Sequence, residues 1–213
     1  MTNLIDSFVS QGVPLETIAL LLMFPVIATL IAFLRQVVGI KAFGIYTPSI
    51  ITFAFLGTGI KYGMAIFVSV ILVGMITRII IQKLRILYLP RVAINLTVVS
   101  LSILFILVIG GYFQRTGLAS VSIFPLLIMI TIVEKFVATQ IEKGNKTAFL
   151  LAIETLIIAI IGYYLLNWDF FINSVISYPW IILLTLPINI LLGKWTGLRL
   201  TEYVRFREVL KKI

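Results

Sequence analysis

The sequence predicts an all-α polytopic membrane protein: a bundle of seven transmembrane helices, the second one broken, with the N-terminus outside, the C-terminus cytoplasmic and a C-terminal amphipathic helix. Three observations predict this class. Hydrophobic residues make up 61% of the 213 residues against 12% charged, and the mean hydropathy is +1.17; a water-soluble domain of this size cannot bury so much apolar surface. The apolar residues fall into seven runs, and seven helices of about 20 residues occupy roughly 140, about two thirds of the chain. The basic residues gather between the runs.

The first run, Pro14–Leu34, follows a segment from Met1 to Val13 that holds no basic residue. That segment lacks the positive start of a cleaved signal peptide, so the first run is expected to stay as an anchor. The second run, Ala42–Leu56, is short, is preceded by Gly39, contains Gly44 and carries Pro48; it reads as a broken span or a re-entrant hairpin. Ile60–Ile81, Val92–Phe113, Gly117–Val133, Thr147–Leu166 and Phe170–Leu192 complete the set. Glu134–Lys143 extends the fifth helix beyond the membrane until Gly144 stops it.

Charge decides between the two readings of the second run, because short loops rich in Lys and Arg stay in the cytoplasm. If all seven runs cross with the N-terminus outside, the inner loops hold Arg35 and Lys41, then Arg78, Lys83, Arg85 and Arg91, then Lys135, Lys143 and Lys146. The tail adds Lys194, Arg199, Arg205, Arg207, Lys211 and Lys212, making fifteen of the seventeen cations inside and leaving Lys61 and Arg115 outside. A re-entrant second run would move the Arg78–Arg91 cluster outside, so a crossing is expected. Tyr62, Tyr112, Tyr163, Tyr164 and Trp168 then mark the outer interface, and Tyr88 and Trp195 the inner one.

Residues 1–195 are thus expected to form the transmembrane domain and 196–213 an interfacial helix. In the latter Leu200, Tyr203, Phe206, Leu210 and Ile213 share one face, with Glu202, Arg205, Glu208 and Lys212 largely opposite. Six basic residues against two acidic ones from 194 onward suit an anionic inner leaflet or a cytoplasmic partner equally.

The composition also excludes chemistries. With no cysteine and no histidine, thiolate metal sites, disulfides and Ser-His or Cys-His catalysis are ruled out. No metal or cofactor is expected and the chain does not read as an enzyme. The net charge of +9 is accounted for by loops at the inner surface, so nucleic-acid binding is not supported.

Ionisable groups inside apolar runs are functional candidates, since each costs at least ~2.5 kcal/mol at mid-bilayer. Glu154, roughly 10 Å into the sixth run, admits three readings: an ion pair with Arg78, Lys135 or Arg35, a proton or substrate relay, and a solvated vestibule. Gly63, Val70, Gly74 and Arg78 share a face of the third span, Asn95 and Ser102 of the fourth, and Ser120, Thr131 and Glu134 of the fifth. These faces are expected to meet inside the bundle. Asn189, near the end of the seventh run, belongs to the same inner half. Gly59 and Gly63 read as helix packing. Gly39, Gly44 and Pro48, with Arg35 and Lys41 beside them, read as an anion-receiving vestibule or as a plain proline kink.

Four stretches, FLRQVVGIKAFGIYTPSIITFAF (Phe33–Phe55), YLPRVAINLTVVSL (Tyr88–Leu101), SIFPLLIMITIVEKF (Ser122–Phe136) and LGKWTGLRLTEYVRFREV (Leu192–Val209), resemble the bacterial and archaeal seven-transmembrane-helix module usually fused to an inactive transglutaminase-like domain. The first part is also distantly similar to the small membrane subunit of poly-γ-glutamate synthesis. The resemblance implies an outside N-terminus and genomic company with ATP-grasp amide ligases. It thereby implies a membrane subunit or scaffold in the synthesis or export of an amide-linked amino-acid polymer or modified peptide. The chain departs from the family in carrying no transglutaminase-like domain, so a function resting on that domain is expected to be lost or supplied in trans. Transglutaminase-like or ATP-grasp ligase proteins, or a second copy of the chain, are the implied partners. The positions matching the family's motifs are Arg35, Gln36, Gly39, Gly44, Pro48, Arg91, Asn95, Glu134, Trp195, Gly197 and Arg199. Arg35, Gln36, Gly39, Gly44, Pro48, Arg91, Asn95 and Glu134, with Lys41, Arg78 and Glu154, are the candidates for a substrate path or partner site, and Trp195, Gly197, Arg199, Arg205 and Arg207 for membrane-interface or partner docking. A small stand-alone transporter using Glu154 as a proton-coupled carboxylate is the competing reading.

Overall fold

The computed structural model describes residues 3–84, 86–112, 123–197 and 199–205. Among them every regular element is helical. In chain order these are α1 (Asn3–Ser10), α2 (Leu15–Phe33) with a π-helical turn Leu34–Val38, α3 (Tyr46–Thr58), α4 (Ile60–Ile81) and α5 (Tyr88–Tyr112). They continue as α6 (Ile123–Lys143), α7 (Asn145–Leu166), α8 (Asp169–Ser177), a 3-10 segment Pro179–Leu184, α9 (Thr185–Gly193) and α10 (Leu200–Arg205). Helix is the form apolar runs must take in lipid, because no water is present to satisfy backbone N–H and C=O groups.

Five of these helices are long and apolar enough to cross a membrane: Leu15–Val38, Ile60–Ile81, Tyr88–Tyr112, Ile123–Lys143 and Asn145–Leu166. They correspond to the first, third, fourth, fifth and sixth runs. Side chains such as Leu101, Leu104 and Phe105 are exposed, as a lipid-facing band requires. α6 runs on to Lys143, and Gly144 follows at φ 83°, where the sequence places the stop.

Two runs differ from expectation. In the second, the irregularity lies ahead of the helix, over residues 39–45, and Pro48 sits in the first turn of α3. A proline there forfeits no helical hydrogen bond, since first-turn N–H groups have no partner within the helix. α3 has 13 residues, about 20 Å of rise against ~30 Å of hydrocarbon. The seventh run, expected as one span, is instead two helical segments bent by 99° at a break between Ser177 and Pro179. Tyr178 is at φ −129° and ψ 72°, outside the helical region that a residue before proline avoids.

The chain forms two compact units. One comprises Met1–Ser49 and Ile161–Ile213. Its centre is α2, with α8, the 3-10 segment and α9 packed along it and α10 against the π turn. Met23, Ile27 and Ile31 are buried on α2. Pro25 removes one N–H inside this helix, and one turn on, Thr29 donates its hydroxyl to the Pro25 carbonyl at 2.8 Å. Thr29 Oγ1 in turn accepts a bond from Asn189 Nδ2 at 2.8 Å, tying α9 to α2. Interhelical polar contacts of this kind are worth about 0.6–2 kcal/mol in a membrane.

The other unit is Ile50–Ile160, in which α4, α5 and α6 pack mutually. Small residues permit the close approach: a Cβ on Gly74 would lie 3.0 Å from Val133 Cγ1 of α6 and 3.9 Å from Asn95 Nδ2 of α5. On Gly63 it would lie 2.5 Å from Phe55 Cδ1, which assigns that glycine to packing. Thr52 Oγ1 bonds the Ala159 carbonyl at 3.3 Å.

One expected face is turned the other way. Thr131 and Glu134 are exposed, whereas Met129, Ile132, Val133 and Phe136 are buried; Ser120 is outside the described residues. The polar stripe of α6 points away from the core of its unit because the apolar positions beside it supply the packing surface.

Candidate functional site

α2 ends in a π-helical turn, and five residues of this rarer form put Arg35 and Gln36 at the rim of the helix end. π-turns commonly mark functional positions. The turn is closed by Gly39 at φ 90°, whose N–H, with that of Ile40, bonds the Leu34 carbonyl at 3.0 and 3.2 Å. The chain then leads through Lys41 and Gly44, at φ 78°, to α3.

These residues and the end of α9 enclose a cleft of about 450 Å³ lined by Ala32, Arg35, Gln36, Ile40, Lys41, Ile45, Asn189, Leu192, Gly193 and Arg199. That size suits a small-molecule group or a peptide segment. Arg199 arrives from the far end of the sequence because Gly39 has no side chain. A Cβ there would collide with Thr201 Oγ1 and approach Arg199 Cβ to 3.0 Å. Gln36 Nε2 donates to the Trp195 carbonyl at 3.5 Å, and the Trp195 ring lies against Gly197, where a Cβ would stand 3.1 Å from three ring atoms.

Three cations thus border one cavity, and among the described residues no acidic one lines it. The nearby carboxylate of Glu202 is engaged elsewhere: its Oε2 accepts the Arg199 N–H at 3.2 Å, half of a capping box at the start of α10. Among the described residues the guanidinium and ammonium groups therefore have no counter-ion lining the cleft. The lining supplies hydrogen-bond donors, positive charge and apolar walls, a set that binds a carboxylate or phosphate. Among the described residues that line it none carries a hydroxyl or a carboxylate.

The predicted residues divide between the units. Arg35, Gln36, Gly39, Lys41, Gly44, Trp195, Gly197 and Arg199 come together around the cleft, while Pro48 is buried at the start of α3. Arg78, Arg91, Asn95, Glu134 and Glu154 belong to the Ile50–Ile160 unit. There Arg78 Nη1 donates to Asn145 Oδ1 at 2.7 Å and Asn95 Nδ2 to the Gly74 carbonyl at 3.3 Å, with Asn95 Oδ1 buried and unpartnered. Glu154 is half-buried, and its Oε2 is buried with no hydrogen-bond partner. Among the described residues of this unit neither Arg78 nor Lys135 pairs with it. The side chain of Arg205 and all of Arg207 lie outside the described residues.

Sequence reasoning missed Gln140, 1% exposed with both amide atoms unpartnered. Its spacing of four from Phe136 and seven from Val133 places it on the buried stripe, which was the available signal. Asn145 was also missed, since nothing local marks a helix-start asparagine as an arginine partner.

Apolar membrane-length helices with a basic cleft at one helix end define a multi-pass helical membrane protein. Over residues 5–210 the chain matches the family described as 7 transmembrane helices usually fused to an inactive transglutaminase, and it belongs to that family. Comparison with curated proteins and with solved structures returns no match, so the distant likeness to the poly-γ-glutamate subunit gains no support from them.

Proposed function

We propose that this chain is a non-enzymatic membrane subunit of a multiprotein assembly in the cytoplasmic membrane, and that its cleft receives a carboxylate-bearing segment of an amide-linked amino-acid polymer or modified peptide. The observation that carries the reading is Arg35, Lys41 and Arg199 bordering one cavity with no acidic residue among the described residues that line it. Family membership supports the membrane-scaffold part. In this reading the chain crosses seven times, with α3 and the bent pair α8–α9 each counted as one crossing, so that fifteen of seventeen cations face the cytoplasm. Residues 196–213 then lie at the inner interface, against anionic headgroups or a transglutaminase-like or ATP-grasp partner.

The test is binding of a fluorescent poly-glutamate peptide to detergent-purified protein. Arg35→Gln, Lys41→Gln and Arg199→Gln are each expected to weaken it about tenfold, roughly 1.4 kcal/mol, with a steep salt dependence. Wild-type affinity in all three variants would exclude the cleft. Affinity purification from native membranes checks the assembly: a strictly solitary chain counts against a subunit role.

A second reading, a stand-alone transporter for an anionic solute, is favoured by the unpartnered buried oxygen of Glu154. A carboxylate that carries a proton across must lose that role in Glu154→Gln, so proton-driven uptake into proteoliposomes is expected to stop. Undiminished uptake in the variant removes this reading.

A further inference from the structure

A separate basic pair sits in the Ile50–Ile160 unit. Arg78 occupies the last turn of α4 and Arg91 the first turn of α5, neighbours joined by the short segment 82–87. Among the described residues Arg78 Nη1 donates to Asn145 Oδ1 at 2.7 Å and Arg91 Nη2 to the Ile86 carbonyl at 2.9 Å. The Nε of each is buried with no partner, and Arg78 lies one turn after Gly74 and Arg91 one turn before Asn95, which bonds the Gly74 carbonyl, so the two like charges sit on adjoining turns of α4 and α5. Among the described residues no carboxylate pairs with either.

Two mutually repelling, partly desolvated cations with unused donors are a costly arrangement unless an anion joins them. The flanking surface says what that anion is attached to. Ile80, Leu84, Leu87 and Leu89 are 63, 53, 80 and 76% exposed, an apolar fringe that acyl chains would cover. We infer that Arg78 and Arg91 together bind the phosphate of an anionic phospholipid, with its tails along that fringe. Guanidinium forks match phosphate oxygens, and basic pockets between transmembrane helices are a recurrent headgroup site. This site is independent of the cleft at Arg35.

The experiment is native mass spectrometry of detergent-purified protein titrated with phosphatidylglycerol or phosphatidylcholine, with inorganic phosphate as competitor. Phosphatidylglycerol is expected to be retained preferentially. Arg78→Gln and Arg91→Gln should each weaken its retention about fivefold and leave phosphatidylcholine unchanged, while Arg78→Lys and Arg91→Lys keep most of the preference. Thermal aggregation of the Gln variants in detergent close to that of the wild type shows that they fold. Equal retention of the two lipids, or a Gln variant in a folded chain that holds phosphatidylglycerol as tightly as wild type, overturns the inference. Displacement of the lipid by millimolar phosphate would assign the site to a soluble anion and overturn the lipid source.

Discussion

Replacing Gly39 by alanine is expected to dismantle the basic cleft while leaving the α4–α6 unit intact. Two costs add. At φ 90° a residue with a Cβ is strained by roughly 1–2 kcal/mol. The new methyl must also displace Thr201 and Arg199, the latter from 3.0 Å, and forced overpacking costs about 1–3 kcal/mol. The cheapest relief is for residues 199–201 to swing away from the π turn, which carries Arg199 out of the cavity. Poly-glutamate binding should therefore fall by more than tenfold. Gly44→Ala separates the two costs, because Gly44 has a similar φ of 78° but open space where the Cβ would go. It should bear the strain alone and keep most of the binding. Adding Thr201→Gly to Gly39→Ala removes one of the colliding groups and should restore binding in part. If Gly39→Ala behaves like Gly44→Ala, close backbone approach is not what holds Arg199 in place.

The long spans were legible in the sequence because lipid imposes a single solution on an apolar run. What the run does at a proline was not, and Pro48 and Pro179 show why. Both interrupt apolar sequence, yet Pro48 falls in the first turn of a helix and Pro179 falls where a helix would have to continue. Hydropathy does not encode that difference, which depends on where the preceding segment ends. The inner face of α6 was hidden for another reason. Periodicity groups Thr131 with Glu134, but in a membrane helix an apolar face can meet lipid or protein, so the pattern alone does not orient it. Half of the cleft was legible: Arg35, Lys41 and Gly39 between them form a local motif. Arg199 and Asn189 reach it only through tertiary contacts, Arg199 beside Gly39 and Asn189 through its bond to Thr29, and no local pattern reports a neighbour some 160 positions away.

In the second unit, Gly74→Leu is expected to be the most damaging single change. Gly74 is buried where α4, α5 and α6 converge, and a Cβ alone would press Val133 Cγ1 at 3.0 Å. Leucine adds three carbons beyond that atom, so α6 or α5 must move outward. Moving α5 also lengthens the bond from Asn95 Nδ2 to the Gly74 carbonyl, already 3.3 Å, and Asn95 Oδ1 has no partner to fall back on. Overpacking at about 1–3 kcal/mol and the lost interhelical bond at about 0.6–2 kcal/mol together give roughly 2–5 kcal/mol. Because Arg78 lies one turn after Gly74 and Arg91 one turn before Asn95, the same displacement should separate the two guanidinium groups and lower phosphatidylglycerol retention. Gly111→Leu is the matched control: it makes the same chemical change near the end of α5, where nothing lies within 4 Å of the added Cβ. Thermal aggregation in detergent should show Gly74→Leu unfolding well below the wild type and Gly111→Leu close to it. Equal stability of the two variants would mean that α4, α5 and α6 are not packed through this glycine.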